Sequence, residues 1–312
     1  MKEIIKIITD IGTRQNKTTK LAYKVITDLL LSHNIEFITK KYQVYLPVFK
    51  KSYLKADGEN IPCLPTGLTS GKINTAGIVT TSLISSKVFL DIPHINFNPK
   101  CKIISRANFS FSPSFAVSRD SIKKIYKSKI VEGKIEVVKE KQETLQILVG
   151  NNRNPKNIIF SHFDSIGSGA IDNASGTALM LEMIIKNRDI LKDNLLIFDG
   201  NEEVSYDKPV YWGRGYRNYE QRYPKQIAGA KKLIVIDCIG YDKTITLSGR
   251  IDSKIIKLAF PIKKINKYYS KIKLITSDYD KLMKVYHSDL DQVGLIKDKY
   301  MEQALKIVIG EI

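Results

Sequence analysis

At 312 residues the chain has room for one large α/β domain, or for one domain that carries a smaller insertion. Hydrophobic residues make up 43% and charged residues 26%, the balance of a soluble globular protein with no call for disorder. The formal charge of +18 raises the question of a polyanionic partner, but the lysines are spread along the chain and interleave with Ile, Leu and Tyr in their densest stretch, 254–284. A lysine-rich solvated surface is therefore expected rather than a nucleic-acid footprint, and no RNP, zinc-finger or helix-turn-helix signal accompanies the charge.

The opening MKEIIKIITDIG sets Lys2, Glu3, Lys6 and Asp10 among its apolar residues, so it lacks the unbroken apolar core of a signal peptide. TTKLAYKVITDLLLSHN (18–34) has Leu21, Val25, Leu29 and Ile26, Leu30 at helical spacing, with Asn34 as the stop. IEFITKKYQVYLPVF (35–49) follows as extended strand. From about 50 to 143 the character changes. Short β-prone pieces (AGIVTTSLI, KVFLDI, CKIIS) are broken by Pro62, Pro65, Gly67, Gly71, Pro93 and Pro99. PSFAVSRDSIKKIYKS (113–128) then reads as a strand running into a helix started by Ser118 or Asp120. This zone is expected to be a small mixed-β insertion at 50–143.

From 144 to 312 strand and helix alternate: LQILVG, NIIFSHF, a helix over 174–187, LLIFDG, KLIVIDCIG. Short apolar runs separated by helices predict a three-layer α/β/α domain around a mostly parallel sheet, built from 1–49 and 144–312. No run approaches the ~18 apolar residues of a membrane span. Cys63, Cys101 and Cys238 have no CxxC spacing, which argues against a disulfide framework or a thiolate zinc site. A cytoplasmic protein is expected.

Function in such sheets sits at the carboxyl ends of the strands, and that is where the reactive residues fall. NIIF delivers His162 and Asp164, LLIFDG delivers Glu202 and Glu203, and KLIVI delivers Asp237. Asp172 and Asn173 immediately precede the helix ASGTALMLEMIIK, and VYHSDLD sets His287 in a late loop. Taken singly each has a plain reading: a hydrogen-bonded His–Asp pair, a solvated Glu-Glu loop, a helix cap at DNASG. Together they form a donor set. Neutral imidazole and carboxylate oxygen bind zinc at about 2.0–2.2 Å, and two ions about 3.5–4 Å apart can share a bridging carboxylate. His162, Asp172, Glu203, Asp237 and His287 supply that count and leave Glu202 as an unliganded base.

HFD, AIDNASGTALMLEMI, NEE, IVIDCIG and YHSDLD closely resemble the motifs of the co-catalytic di-zinc aminopeptidases, the type that includes aminopeptidase S, aminopeptidase Y and bacterial leucyl aminopeptidase. The motifs span about 157–292, and the middle zone resembles the protease-associated insertion of many members. The resemblance implies two zinc ions per chain: His162 and Asp237 on one, Glu203 and His287 on the other, Asp172 bridging. It makes Glu202 the general base, Asp164 the group that orients His162, and Tyr286 a match to a tyrosine that steadies the oxyanion in some relatives. Asp291 would hold its loop. The implied substrate is a peptide with a free N-terminus.

Spacing separates this family from its neighbours, and one departure from its pattern stands out in the loop after Glu-Glu. The related zinc peptidases with a separate dimerisation domain have a far longer gap than the ten residues between His162 and Asp172. Glu-Glu is followed by VSYDKPVYWGRGYRNYE rather than by Gly and Gly-Ser-x-x-Tyr, with WGRGY as a displaced equivalent and Trp212 as the chain's one tryptophan. That loop is expected to shape the substrate pocket. On the same scaffold, glutaminyl cyclisation (a one-zinc chemistry), carboxypeptidase action and a non-catalytic receptor-like role are the alternatives. Oligomeric state is not readable.

Overall fold

The computed structural model describes residues 1–74, 78–82, 92–249 and 251–312. Helix α1 (Lys2–Thr9) buries Ile5 and Ile8, and α2 (Thr19–Ser32) buries Ala22, Ile26 and Leu30 at i, i+4, i+8. Of the two apolar rows expected on α2, this is the inner one. Leu21 is exposed. Asn34 at φ +50° ends the segment, as a left-handed stop should.

Strand β1 (Ile38–Ala56) extends well beyond the expected end at 49 and leads through β2 (Glu59–Asn60) into β3 (Cys63–Pro65), β4 (Gly71–Asn74) and β5 (Ile78–Thr81). After β6 (His94–Phe97) and β7 (Ser114–Val117), helix α3 (Ser121–Lys127) feeds the long return strand β8 (Val131–Gly150). Asp120 precedes that helix, while Ser118 Oγ accepts the Ser121 amide at 3.2 Å. KVFLDI (87–92) lies outside the described residues except for Ile92, and AGIVTTSLI (76–84) does so in part. CKIIS (101–105), expected as β-prone, forms no strand. It packs on the 283–287 loop instead: Ser105 Oγ donates to the Tyr286 carbonyl at 2.7 Å, and Asn98, just before the stretch, donates Nδ2 to the Met283 carbonyl at 2.8 Å.

β1 and β8 pair antiparallel from Ile38↔Leu148 to Ala56↔Val131, with one irregularity at Phe49/Lys51. Residues 49 and 144 both lie inside this ladder. Its inner half belongs to the main sheet; its outer half carries β4 and packs against a second sheet in the order β3-β7-β6-β5. Leu54, Ile73, Ile95, Phe115 and Ile135 form the core between them.

The rest of the chain alternates. β9 (Asn157–His162) is followed by α4 (Ser175–Lys186), α5 (Ile190–Asp193) and β10 (Asn194–Asp199). α6 (Arg214–Arg222) and α7 (Pro224–Gly229) lead to β11 (Lys232–Ile236) and β12 (Thr244–Ser248). α8 (Ser253–Ala259), β13 (Ile272–Ser277), α9 (Tyr279–Leu282) and α10 (Asp298–Glu311) complete it. The large sheet runs β12-β13-β11-β9-β10-β8-β1-β2. Its centre, β13-β11-β9-β10, is parallel, and antiparallel strands flank it on both sides.

Period two sorts the central strands onto two cores. Ile159, Leu196 and Ile234 face α1, α2, α4 and α10, while Ile158, Phe160, Leu195 and Val235 face Tyr216, Tyr219, Ile227 and Ile256 of α6, α7 and α8. Both faces are covered, so the strands read as continuous apolar runs. This is the expected three-layer architecture with an extra small sheet.

Candidate metal centre

Parallel strands end on one side, and the ends of β9, β10 and β11 bring His162, the Gly200–Glu203 loop and Asp237 to a common edge. Asp172 arrives from the single π-turn Ala170–Ala174 that opens α4, and a cis peptide bond joins it to Asn173. His287 comes from the loop between α9 and α10, at φ +48°. The five residues meet. His162 Nε2 lies 3.2 Å from Asp172 Oδ1 and 3.3 Å from Asp237 Oδ1. His287 Nε2 lies 3.1 Å from Asp172 Oδ2 and 2.9 Å from Glu203 Oε2. Each oxygen of Asp172 thus faces a different imidazole.

The other ring nitrogens are occupied. His162 Nδ1 is 3.1 Å from the Asp164 carbonyl and His287 Nδ1 is 3.1 Å from that of Arg106. Such contacts put the proton on Nδ1 and leave the Nε2 lone pair turned toward carboxylate oxygens. A lone pair against an anion is repulsive unless a cation stands between them. His287 Nε2 is buried and in line with no hydrogen bond, although both carboxylates are close. Donor spacings of 2.9–3.3 Å are close to the ~3.3 Å edge of a tetrahedron whose bonds are about 2.0–2.1 Å. His162, Asp172 and Glu203 form one ligand-sized cluster, as do Asp172, Asp237 and Cys238. The donor set fits zinc.

Electrostatics without the ion show the same need. Burial opposes the charged rings, yet Asp164, Asp172 and Asp237 around His162, and Glu203 and Asp172 around His287, outweigh it and hold both pKa values well above the ordinary range. Burial and the charge of Asp172 push Glu203 up to about 7. Glu202 is raised strongly by burial and by Glu203, Asp237 and Asp164. So many buried carboxylates require a positive partner.

Glu202 stays out of both clusters and lines a cavity of about 260 Å³ together with Asp172, Glu203, Asp237 and His287. Trp212, Tyr211, Leu258, Met283 and Tyr286 form much of its remaining wall. Tyr286 stacks on the His287 ring, with centroids 3.7 Å apart. Asp164 lies beneath: its carboxylate is 3.4 Å from His162 Nδ1 but accepts the amides of Glu202 and Glu203 at 2.9–3.0 Å. Asp291 accepts the amides of Ile171 and Asp172 at 2.7 and 3.1 Å, so it fixes the turn that presents Asp172.

The Trp212 loop is tied at several points. Trp212 Nε1 donates to the Leu258 carbonyl at 2.7 Å, Tyr211 Oη to Asn108 Oδ1 at 2.9 Å, and the buried Arg217 to Asp207 at 2.8 Å. WGRGY opens α6, and Gly215 in it is obligatory: a Cβ there would strike the Asp199 carboxylate.

Three residues beside the centre carried no sequence signal. Arg14, fully buried, donates to the carbonyls of Phe163, Ser168 and Gly169 at 2.6, 2.5 and 2.9 Å. Asp199, also buried, receives the Tyr42 hydroxyl at 2.9 Å. The Cys238 thiol lies 3.3 Å from Asp237 Oδ1. A lone Arg in GTRQNKTT reads as surface, and only the fold reveals otherwise.

Residues 144–271 match the pattern of peptidase family M28. Four of the five candidate ligands lie within the matched segment, and His287 follows it. Among curated proteins nothing matches the chain. Solved structures share the fold over nearly its whole length. BSAP, a zinc aminopeptidase from Bacillus subtilis, is 13% identical with a TM-score of 0.70, covering 99% of this chain and 93% of its own. An aminopeptidase from Aneurinibacillus sp. strain AM-1 is 13% identical with a TM-score of 0.63, covering 99% and 92%. A glutaminyl cyclase from Fimbriiglobus ruber is 11% identical with a TM-score of 0.54, covering 100% and 93%.

Proposed function

We propose that the chain is a two-zinc aminopeptidase that removes the first residue from peptides with a free N-terminus. The observation that carries this is Asp172, whose two oxygens face two different imidazoles at 3.1–3.2 Å. His162 and Asp237 would hold one ion, Glu203 and His287 the other, with Asp172 shared. When bound, the ions would acidify a water and polarise the scissile carbonyl.

Glu202, free of the ligand clusters and open to the cavity, takes the proton from that water and returns it to the leaving amine. Asp164 holds the amides of Glu202 and Glu203 and thereby aims the base. Tyr286, on the same cavity wall, is the candidate to steady the oxyanion. The apolar wall of Trp212, Leu258 and Met283 takes the side chain of the departing residue. The small sheet that rides on the outer half of β1 and β8 is read as the inserted unit. Among the described residues no helix is long and apolar enough to cross a membrane. Unpaired cysteines at 63, 101 and 238 support a reducing compartment, the cytoplasm.

The second reading, glutaminyl cyclisation, has the support of the cyclase fold match at a TM-score of 0.54. Metal analysis together with a panel of aminoacyl-arylamides separates the two. Glu202→Gln is expected to retain metal and lose turnover by about 10²–10⁴-fold, the scale of general-base catalysis. Near-normal turnover in that variant would overturn the assignment of the base. Cyclisation of glutaminyl peptides, with no release of amino acids, would overturn the aminopeptidase reading.

A further inference from the structure

Asn108 lines the main cavity from a stretch that is tied down at both ends. Upstream, Arg106 gives its amide to the His287 carbonyl at 2.9 Å, and its carbonyl lies 3.1 Å from His287 Nδ1. Downstream, the buried Phe109 gives its amide to Tyr211 Oη at 3.0 Å and meets the Tyr211 ring edge-on, with centroids 5.6 Å apart. Ala107 and Asn108 stand between these anchors, half-buried, on the cavity wall. Tyr211 Oη accepts from Phe109, so its own proton goes to Asn108 Oδ1 at 2.9 Å. That bond decides which end of the amide is which. The oxygen faces Tyr211, and Nδ2 with its two N–H groups is left over. Among the described residues Nδ2 donates to nothing, yet it keeps accessible surface.

A free, oriented donor on a cavity wall is matched by an acceptor on the molecule that fills the cavity. Backbone contacts fix its side of the centre. The Gly213 amide donates to the Glu202 carbonyl at 2.5 Å, and the Ser205 amide to the Tyr211 carbonyl at 2.6 Å. Tyr211, and Asn108 with it, therefore sits against the loop that carries Glu202 and Glu203, while Arg106 ties the same stretch to His287. On this side Glu202 hands its proton to the leaving amine. In a peptide, the residue that owns the leaving amine has its carbonyl oxygen about 3 Å from that nitrogen, by ordinary backbone bond lengths. With the scissile carbonyl given over to the ions, this oxygen is the next acceptor along the chain.

We infer that Asn108 Nδ2 binds the carbonyl that follows the scissile bond. The inference deepens the proposed function and rests on it for the direction in which the peptide lies. It names a substrate class. Peptides, dipeptides included, are held on both sides of the scissile bond, whereas an amino-acid amide or alkylamide forgoes the second contact. It also gives the 50–143 zone a part in recognition, since Asn108 belongs to that zone. An Asn108 that served only to anchor Tyr211 would treat both kinds of ligand alike.

The test is calorimetric titration of the zinc-loaded chain carrying Glu202→Gln, which slows turnover, with Leu-Gly-Gly and with leucine n-butylamide. The second ligand has the same leucyl amide but no second carbonyl. Asn108→Asp and Asn108→Ala are compared on that background. Asn108→Asp keeps an oxygen for Tyr211 and puts another where the donor was. The ratio of the two affinities is expected to favour Leu-Gly-Gly in the parent. It should fall about 10-fold in Asn108→Asp and about 5-fold in Asn108→Ala, the scale of one hydrogen bond. A ratio that is the same in parent and variants overturns the inference, as does a parent that does not bind Leu-Gly-Gly. Should Asn108→Asp lose its zinc, Asn108→Ala decides alone. Wild type is assayed separately for release of leucine from Leu-Gly-Gly. No release, with the ratio still shifted by the Asn108 variants, sinks the aminopeptidase reading and leaves the carbonyl contact standing.

Discussion

The carboxylate of Asp164 accepts the backbone amide of Glu202 at 2.9 Å, which locks the end of β9 to the loop that follows β10. One side chain therefore sets both the strand end that carries His162 and the backbone that carries the candidate base. Its contact with the His162 ring is longer, at 3.4 Å, and the Asp164 carbonyl is the nearer partner of that ring. Asp164→Asn replaces one acceptor oxygen by a donor facing amide N–H groups. Zinc affinity and turnover are each expected to fall about 10–100-fold, the usual effect of losing a group that supports metal ligands. Competition with a metallochromic chelator, run beside the arylamide assay, measures both. A loss confined to folding stability would contradict the positioning role.

Arg14 plays the corresponding part for the loop 163–169. Its guanidinium feeds three carbonyls of that loop and lies within the field of Asp291, Asp164, Glu203 and Asp172, while burial lowers its pKa to about 10. Gly169 is fixed by the same contact: at φ +56° a Cβ would run into the Asp172 carbonyl and Ser165, and would crowd Arg14 Nη2. Arg14→Met leaves buried carbonyls without donors and should cost about 3 kcal/mol or more, read as a lower urea midpoint. Arg14→Lys, which keeps one donor group and the charge, should recover part of this.

Asp199 gives a pH signature. Burial first, and then the charge of Asp164, raise its pKa to about 7, against an ordinary value near 4 when unfolded. A carboxyl raised on folding adds stability in full below about pH 4, and that stability is lost as pH rises through about 7. Asp199→Asn cannot ionise. Between pH 5 and pH 8 the stability difference between variant and wild type should therefore shift in favour of the variant, by up to about 3 kcal/mol. Urea unfolding of metal-free protein at the two pH values measures it, and a pH-independent difference would contradict the buried neutral acid.

The strand-end residues were legible because each follows an apolar run too short for a helix, and a parallel sheet sends such runs to one edge. The reach of β1 was not. KKSYLKA (50–56) alternates lysine with Tyr53 and Leu54, and its strand character comes from pairing with β8, a partner some eighty residues away. CKIIS misled for the opposite reason: local β propensity gave way to packing on the loop of His287. Arg14 and Asp199 stayed hidden because a buried charge looks like any other until the fold surrounds it.

The central claim is that Asp172 is shared by two ions while each histidine serves one. Zinc content per folded chain, determined by elemental analysis on wild type, His287→Ala and Asp172→Ala after dialysis against a weak chelator, tests it directly. Two ions are expected in wild type, one in His287→Ala and close to none in Asp172→Ala. A wild-type chain that holds a single ion, or an Asp172→Ala chain that still holds two, would contradict it.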